Sequence, residues 1–320
     1  MAPPRPVSPL SRWLQDVLGG RAFPAAALGA IAVAAALSFA GLLQDGPAAA
    51  LLAVLVATSL ALFMIRPALA GSVDPTTRGV ALLIAVAAGL LCAVPAITSV
   101  VPGRPVAEGE VSRVGDRLEL PAGALGTGGG LRLLVHAPLP PGGTPVVEFR
   151  FTAGAAPLSG TVERTVSYSR VGRGSRAAVA HDHNEVWVHG ALGAGATALT
   201  LDRIDGPLAG PLQVAVHGEL ISPLALWVVS LLVLVLAAIW EARLRGSHLA
   251  ALAGMALAYG LLVYGNATPH AAIGTSLGAI LLGALGGALA GGLLAMLARL
   301  GPWALEAPPE APGGKAKPRA

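Results

Sequence analysis

The sequence predicts a polytopic α-helical membrane protein: six transmembrane helices in two groups of three, with an extracytoplasmic all-β sandwich or jelly-roll domain between the third and fourth. Three observations predict it. Apolar runs free of Asp, Glu, Lys and Arg lie near 22–43, 47–65, 79–101, 222–240, 248–264 and 271–298. Residues 110–219 carry short alternating segments broken by Gly and Pro. Among the short connections between the apolar runs, basic residues occur on alternate ones.

The runs come first. Charged residues make up 12% of the chain, half of the ~25% usual in soluble domains, and mean hydropathy is +0.71. A helix needs ~20 apolar residues to cross the hydrocarbon core. The fifth run is short, and the last is long enough to tilt or to extend past the bilayer. The first apolar stretch exceeds the ~7–15 residues of a signal-peptide core, so it is expected to remain as an anchor.

The connections set the orientation. Arg5, Arg12 and Arg21 precede the first run, Arg66 and Arg78 separate the second from the third, Arg243 and Arg245 follow the fourth, and Arg299, Lys315, Lys317 and Arg319 follow the sixth. The short connections 44–46 and 265–270 hold no Lys or Arg. By the positive-inside rule, both termini are cytoplasmic and residues 102–221 extracytoplasmic, with the chain in the plasma (inner) membrane; the β domain is periplasmic if the cell is Gram-negative. Scarce lysine with abundant Ala, Gly, Leu and Pro points to a GC-rich bacterial genome.

The expected organisation is a cytoplasmic segment 1–21, helices 1–3 over 22–101, the β domain 102–221, helices 4–6 over 222–299, and a disordered cytoplasmic tail 300–320. Within the first segment, Leu10, Trp13, Leu14, Val17 and Leu18 share one helical face. They predict an amphipathic helix over 8–18 on the inner leaflet. In the last run, Gly274 and Gly278, and then Gly283, Gly287 and Gly291, recur every four residues. Such spacing lets backbones approach closely and predicts helix packing within the bundle.

The β domain is read from eight alternating segments: 117–120, 131–136, 146–151, 161–169, 177–181, 185–189, 197–204 and 212–217. Turn signals between them fit an antiparallel sandwich or jelly roll. Five of the seven histidines lie here. His181 and His183, in a stretch read as a hairpin turn ending at Glu185, are a candidate pair for a metal ion; no third ligand stands at a diagnostic spacing. Arg164, Arg170, Arg173 and Arg176 flank the glycine-rich 172–174 and form a candidate anion site for lipid headgroups or acidic glycans.

Much chemistry is absent from the sequence. There is no P-loop, nucleotide fingerprint or cysteine metal site, and one cysteine, Cys92, allows no intrachain disulfide. No catalytic residue and no cofactor are expected, and nothing points to nucleic acid. Gly274–Gly278 matches G-x-S-x-G around Ser276, but that motif needs a strand–turn–helix elbow. The spans lack the ionisable groups of ion-coupled transporters. The first expectation is therefore a non-enzymatic protein whose β domain binds a partner protein or envelope ligand. Its partners are the bilayer, other membrane or envelope proteins, and an anionic lipid or glycan. Three spans, an exterior β jelly roll and three more spans, with both termini inside, resembles the arrangement of the lipopolysaccharide-export permeases. The resemblance is topological and runs the length of the chain. It implies lipid movement driven by a separate cytoplasmic ATPase and carries no site residue over. A membrane enzyme acting on lipid or glycan is the third alternative.

Overall fold

The computed structural model describes residues 22–69, 75–121, 130–154, 156–171, 175–191, 193, 196–242 and 248–300. The expected 8–18 helix, Arg173, Arg243, Arg245 and the 301–320 tail lie outside them. Among the described residues, three helices precede the β region: α1 (Ala22–Phe39), α2 (Asp45–Leu69) and α3 (Pro75–Val100). After it come α4 (Pro223–Glu241), α5 (Leu249–Asn266), α6 (Ala272–Leu282), a π-helical segment Gly283–Gly287, and α7 (Ala288–Arg299). The last three run on as one apolar rod of 28 residues. With α2, α3, α4 and α5 it makes five described helices long and apolar enough to cross a membrane. The apolar stretch of α1, Ala25–Phe39, is shorter. It stops where Gly41 takes φ +69°; the Gly41 amide donates to the Ser38 carbonyl and the Leu42 amide to that of Leu37, which closes a Schellman cap.

α5 is the central helix. Over half of its apolar window is buried (56%), against 22% for α4 and for the last rod. Its hydropathy is the lowest of the five, because its neighbours demand small side chains rather than greasy ones. A Cβ on Gly254 would sit 2.1 Å from the Gly287 carbonyl oxygen, and one on Gly291 2.0 Å from that of Ala250. Gly283 faces the Tyr259 backbone. Gly274 and Gly278, by contrast, have open space where a Cβ would stand. On the other side of α5, a Cβ on Gly260 would lie 2.5 Å from the Leu91 carbonyl. That carbonyl lacks its usual helical donor because Pro95 has no N–H. The outward faces carry large apolar side chains, such as Leu224, Trp227 and Leu231 on α4 and Leu289 and Leu293 on α7, each more than half exposed. Contiguous apolar surface of this extent belongs in lipid.

One end of the bundle is pinned by a buried carboxylate. Glu241, at the end of α4, accepts the Ala250 N–H at 2.8 Å and the Arg299 guanidinium at 3.2 Å. Arg66 and Arg299 fall in the last turns of α2 and α7 at this end. The β region adjoins the opposite end.

The described residues of the β region form nine strands: β1 (Ala107–Val111), β2 (Arg117–Glu119), β3 (Gly130–His136), β4 (Val146–Ala153), β5 (Ala156–Val171), β6 (Ser175–His183), β7 (Glu185–Ala191), β8 (Ala198–Asp205) and β9 (Leu212–Gly218). They form two antiparallel sheets, β1-β9-β3-β7 and β2-β8-β4-β5-β6. Alternate residues of both sheets, among them Leu131, Leu133, Val135, Phe149, Phe151, Leu201, Val214 and Val216, fill one apolar core between them. The pairs nest: β1 with β9, β2 with β8, β3 with β7, around β4 with β5. β1 was not among the expected segments, since Ala107–Val111 holds two glutamates and a glycine. His181–His183 are not a hairpin tip. They close the β6 ladder, opposite Thr165, Arg164 and Glu163, and Asn184 alone separates β6 from β7. Beyond Glu163, β5 and β6 continue as a two-stranded arm, Arg164–Val171 against Ser175–Asp182.

Candidate functional site

The four-stranded sheet has a second face. With Leu131, Leu133 and Val135 turned into the core, Arg132, Leu134 and His136 turn out. Register adds Glu185, Trp187 and His189 from β7, Gln213, Ala215 and His217 from β9, and Glu108 and Glu110 from β1. Three of the five β-domain histidines therefore share one surface. That surface lies on the end of the helix bundle.

Arg132 is the anchor. It sits between His189 and His217 in one cross-strand row and is only 5% exposed. Its Nη2 donates to the Thr98 carbonyl at 2.6 Å, and its guanidinium lies 4.4 Å from the centroid of the Trp187 ring. Trp187 Nε1 donates to the Ser99 carbonyl at 3.2 Å. Thr98 and Ser99 belong to the last turn of α3, where carbonyls lack helical partners and the dipole end is negative. A cation and an indole N–H thus satisfy the helix terminus. Burial draws the Arg132 guanidinium down from its ordinary value, while Tyr264 and Glu219 raise it; it stays charged. His217, edge-on to Trp187, is pushed down to about 4 by burial and then by the Arg132 charge, against the Pro102 carbonyl. It is neutral at pH 7.

A second contact stands beside the first. Glu219, with a side chain 4% exposed, meets His189 Nδ1 at 2.7 Å and accepts from the Tyr264 hydroxyl at 3.1 Å. The same hydroxyl lies 2.9 Å from the Ile221 carbonyl. Tyr264 comes from the last turns of α5, so β7, β9 and α5 meet here.

The third contact is acidic. The Glu185 side chain, 5% exposed, lies 3.6 Å from His136 Nδ1 and 2.6 Å from His270 Nδ1. His270 belongs to the connection between α5 and α6. This bridge divides two clefts. One, of about 540 Å³, is lined by Glu108, Glu110, His136, Glu185, Gln213 and His270 among others. The other, of about 620 Å³, is lined by Asp45, His183, Asn184, Glu185, Thr268 and His270 among others. Among the described residues no Lys or Arg lines either, so the joint favours hydrogen-bond donors and cations.

The sequence-derived candidates fall differently. His183 enters the second cleft, near Asp45, Glu185 and His270; His181 is a ladder position on β6. Among the described residues, no three His, Cys, Asp or Glu are grouped to hold a metal ion. Arg164 donates to the Pro140 carbonyl at 2.6 Å and that of Gly142 at 3.4 Å, clamping the turn before β4. Arg170 and Arg176 face each other across the β5–β6 ladder. Ser276 is fully buried inside α6, with no strand before it, so no nucleophile elbow exists there. Sequence reasoning passed over Arg132, Glu219 and His270. Arg132 interrupts an apolar strand, and a lone charge at such a position is the signal that marks it. No protein-family model matches the chain, and neither a curated protein nor a solved structure matches it.

Proposed function

We propose that this is a six-span integral membrane protein, with both termini cytoplasmic, whose extracytoplasmic β domain binds a partner protein within a membrane complex of the cell envelope. The β5–β6 arm carries the reading. Seven residues of β5, Thr165–Val171, have ladder partners on β6 alone among the described residues, and β6 ends its sheet. Such an arm reaches about 23 Å, and among the described residues neither of its edges pairs with a further strand. Edges of this kind accept an added strand from another chain. Arg66 and Arg299 at the bundle end away from the β domain support the orientation. The test is site-specific photocrosslinking in cells from Ser169 and Ala177 of the full chain. A discrete protein adduct is expected at the arm and not at Arg150 on the sheet beside it. Equal labelling at all three positions, or none, refutes partner capture by the arm.

A second reading rests on the strand order. The nested pairs around β4 and β5, set between two groups of helices, are compatible with the winding of a jelly roll. That arrangement supports a permease-like subunit of an ATP-driven lipid exporter. Purification in mild detergent tests it: a stoichiometric cytoplasmic ATPase is expected, and a preparation holding only extracytoplasmic partners counts against it.

A further inference from the structure

The bundle has an apolar groove that the joint does not use. Trp227, Ser230, Leu231 and Leu234 of α4 form one wall, and Leu282, Gly286 and Gly287 with Ala290 form the other. The floor is α5, from Gly254 through Ala258 and Leu261 to Asn266. The volume is about 760 Å³. The groove closes toward the Glu241 end, where α4 packs on α7 and the Gly254 and Gly287 backbones touch. It opens toward the β-domain end, where α4 and α6 part.

We infer that this groove holds an acyl chain of a phospholipid from the leaflet on the β-domain side. Length decides the occupant. From Gly254 to Asn266 the floor rises about 18 Å at ~1.5 Å per residue. One leaflet contributes about 15 Å of the ~30 Å hydrocarbon core. A partner helix crossing the bilayer would need an apolar face of the full thickness, and this groove ends about halfway. Its chemistry is graded in the same sense. The closed end is lined by Leu, Ala and Gly alone, whereas Asn266, Trp227 and Ser230 stand toward the open end. Ser230 is 3% exposed, and its Oγ has no hydrogen-bond partner. It lies about one helical turn below Trp227, an interfacial residue type.

The test uses the full chain reconstituted in phosphatidylethanolamine vesicles doped with a phospholipid that carries a diazirine on its acyl chain. After photolysis, adducts are mapped by mass spectrometry. They are expected to concentrate on α4 residues 227–234 and α5 residues 257–262. G286F places a side chain in the groove from a position whose Cβ meets nothing within 4 Å, and those adducts should be lost. G292F, equally open but outside the groove, should keep them. A melting curve for each variant establishes that it is folded, and A258F is a second filling variant read in the same way. Adducts spread evenly over all exposed apolar faces, or unchanged in both filling variants, overturn the proposal. So does a protein crosslink that blocks lipid labelling of the groove. Arm crosslinking is a separate readout, so failure here leaves the partner-binding reading standing.

Discussion

Gly286 and Gly287 are adjacent, yet their replacement by alanine should act in opposite directions. A Cβ on Gly287 would stand 2.3 Å from the Gly254 carbonyl oxygen, and one on Gly254 2.1 Å from that of Gly287. Since such contacts do not fall below 3.0 Å, α5 and the π segment must separate by roughly 0.7 Å for G287A. Overpacking of this kind costs about 1–3 kcal/mol. Alanine returns up to about 1 kcal/mol of helix propensity, which leaves a net loss of up to about 2 kcal/mol. At Gly286 the Cβ meets open space, so only the propensity gain remains and G286A should be neutral to stabilising. Reversible unfolding by sodium dodecyl sulfate in mixed micelles measures both. Equal responses of the two variants would refute the claim that backbone contact at Gly254 and Gly287 sets the helix spacing.

Three further outcomes follow from the joint. His217 binds its proton below its unfolded value of 6.5, at about 4. Over that window the unfolded chain holds more protons than the folded one, so stability should fall by roughly 2 kcal/mol as pH drops from 7 toward 4; denaturant midpoints across pH should show H217Q losing that slope. W187F removes the N–H that satisfies the Ser99 carbonyl and should cost about 1–2 kcal/mol without changing the denaturant m-value. E185Q weakens the hydrogen bond to His270 and removes the charge 3.6 Å from His136. Because His270 is 80% exposed, global stability should change by less than about 1 kcal/mol, while amide exchange across 267–271 rises; unchanged exchange there would show that the bridge does not order this connection.

The sequence made the helices and most strands legible because each rests on local pattern. Uncharged runs mark α2 to α5, and Leu212, Val214 and Val216 mark β9 through period two alone. What it concealed is non-local. The row His189–Arg132–His217 joins strands separated by dozens of residues, and register is set by the whole sheet rather than by any one segment. The 181–185 stretch reads as a turn because it is polar, but ladder pairing with β5 overrides that composition. The Gly pattern of the last span is visible as spacing, yet only the opposing α5 backbone distinguishes Gly287, in contact, from Gly278, in open space. The arginine cluster shows the same limit: the sequence brings four together, and Arg164 is engaged in holding the Pro140 turn.

The way Arg132 and Trp187 grip the end of α3 also has a mechanical consequence. The sheet is fastened face-down by side chains, in addition to the two chain crossings that enter and leave it. Any rotation of α3 therefore carries the four-stranded sheet with it as a rigid plate. The five-stranded sheet shares that plate's core, so the β5–β6 arm moves with it as a lever: over its reach of about 23 Å, a tilt of about 5° at the helix end displaces its far end by about 2 Å. Small changes in helix packing around the central α5 are in this way magnified along the arm.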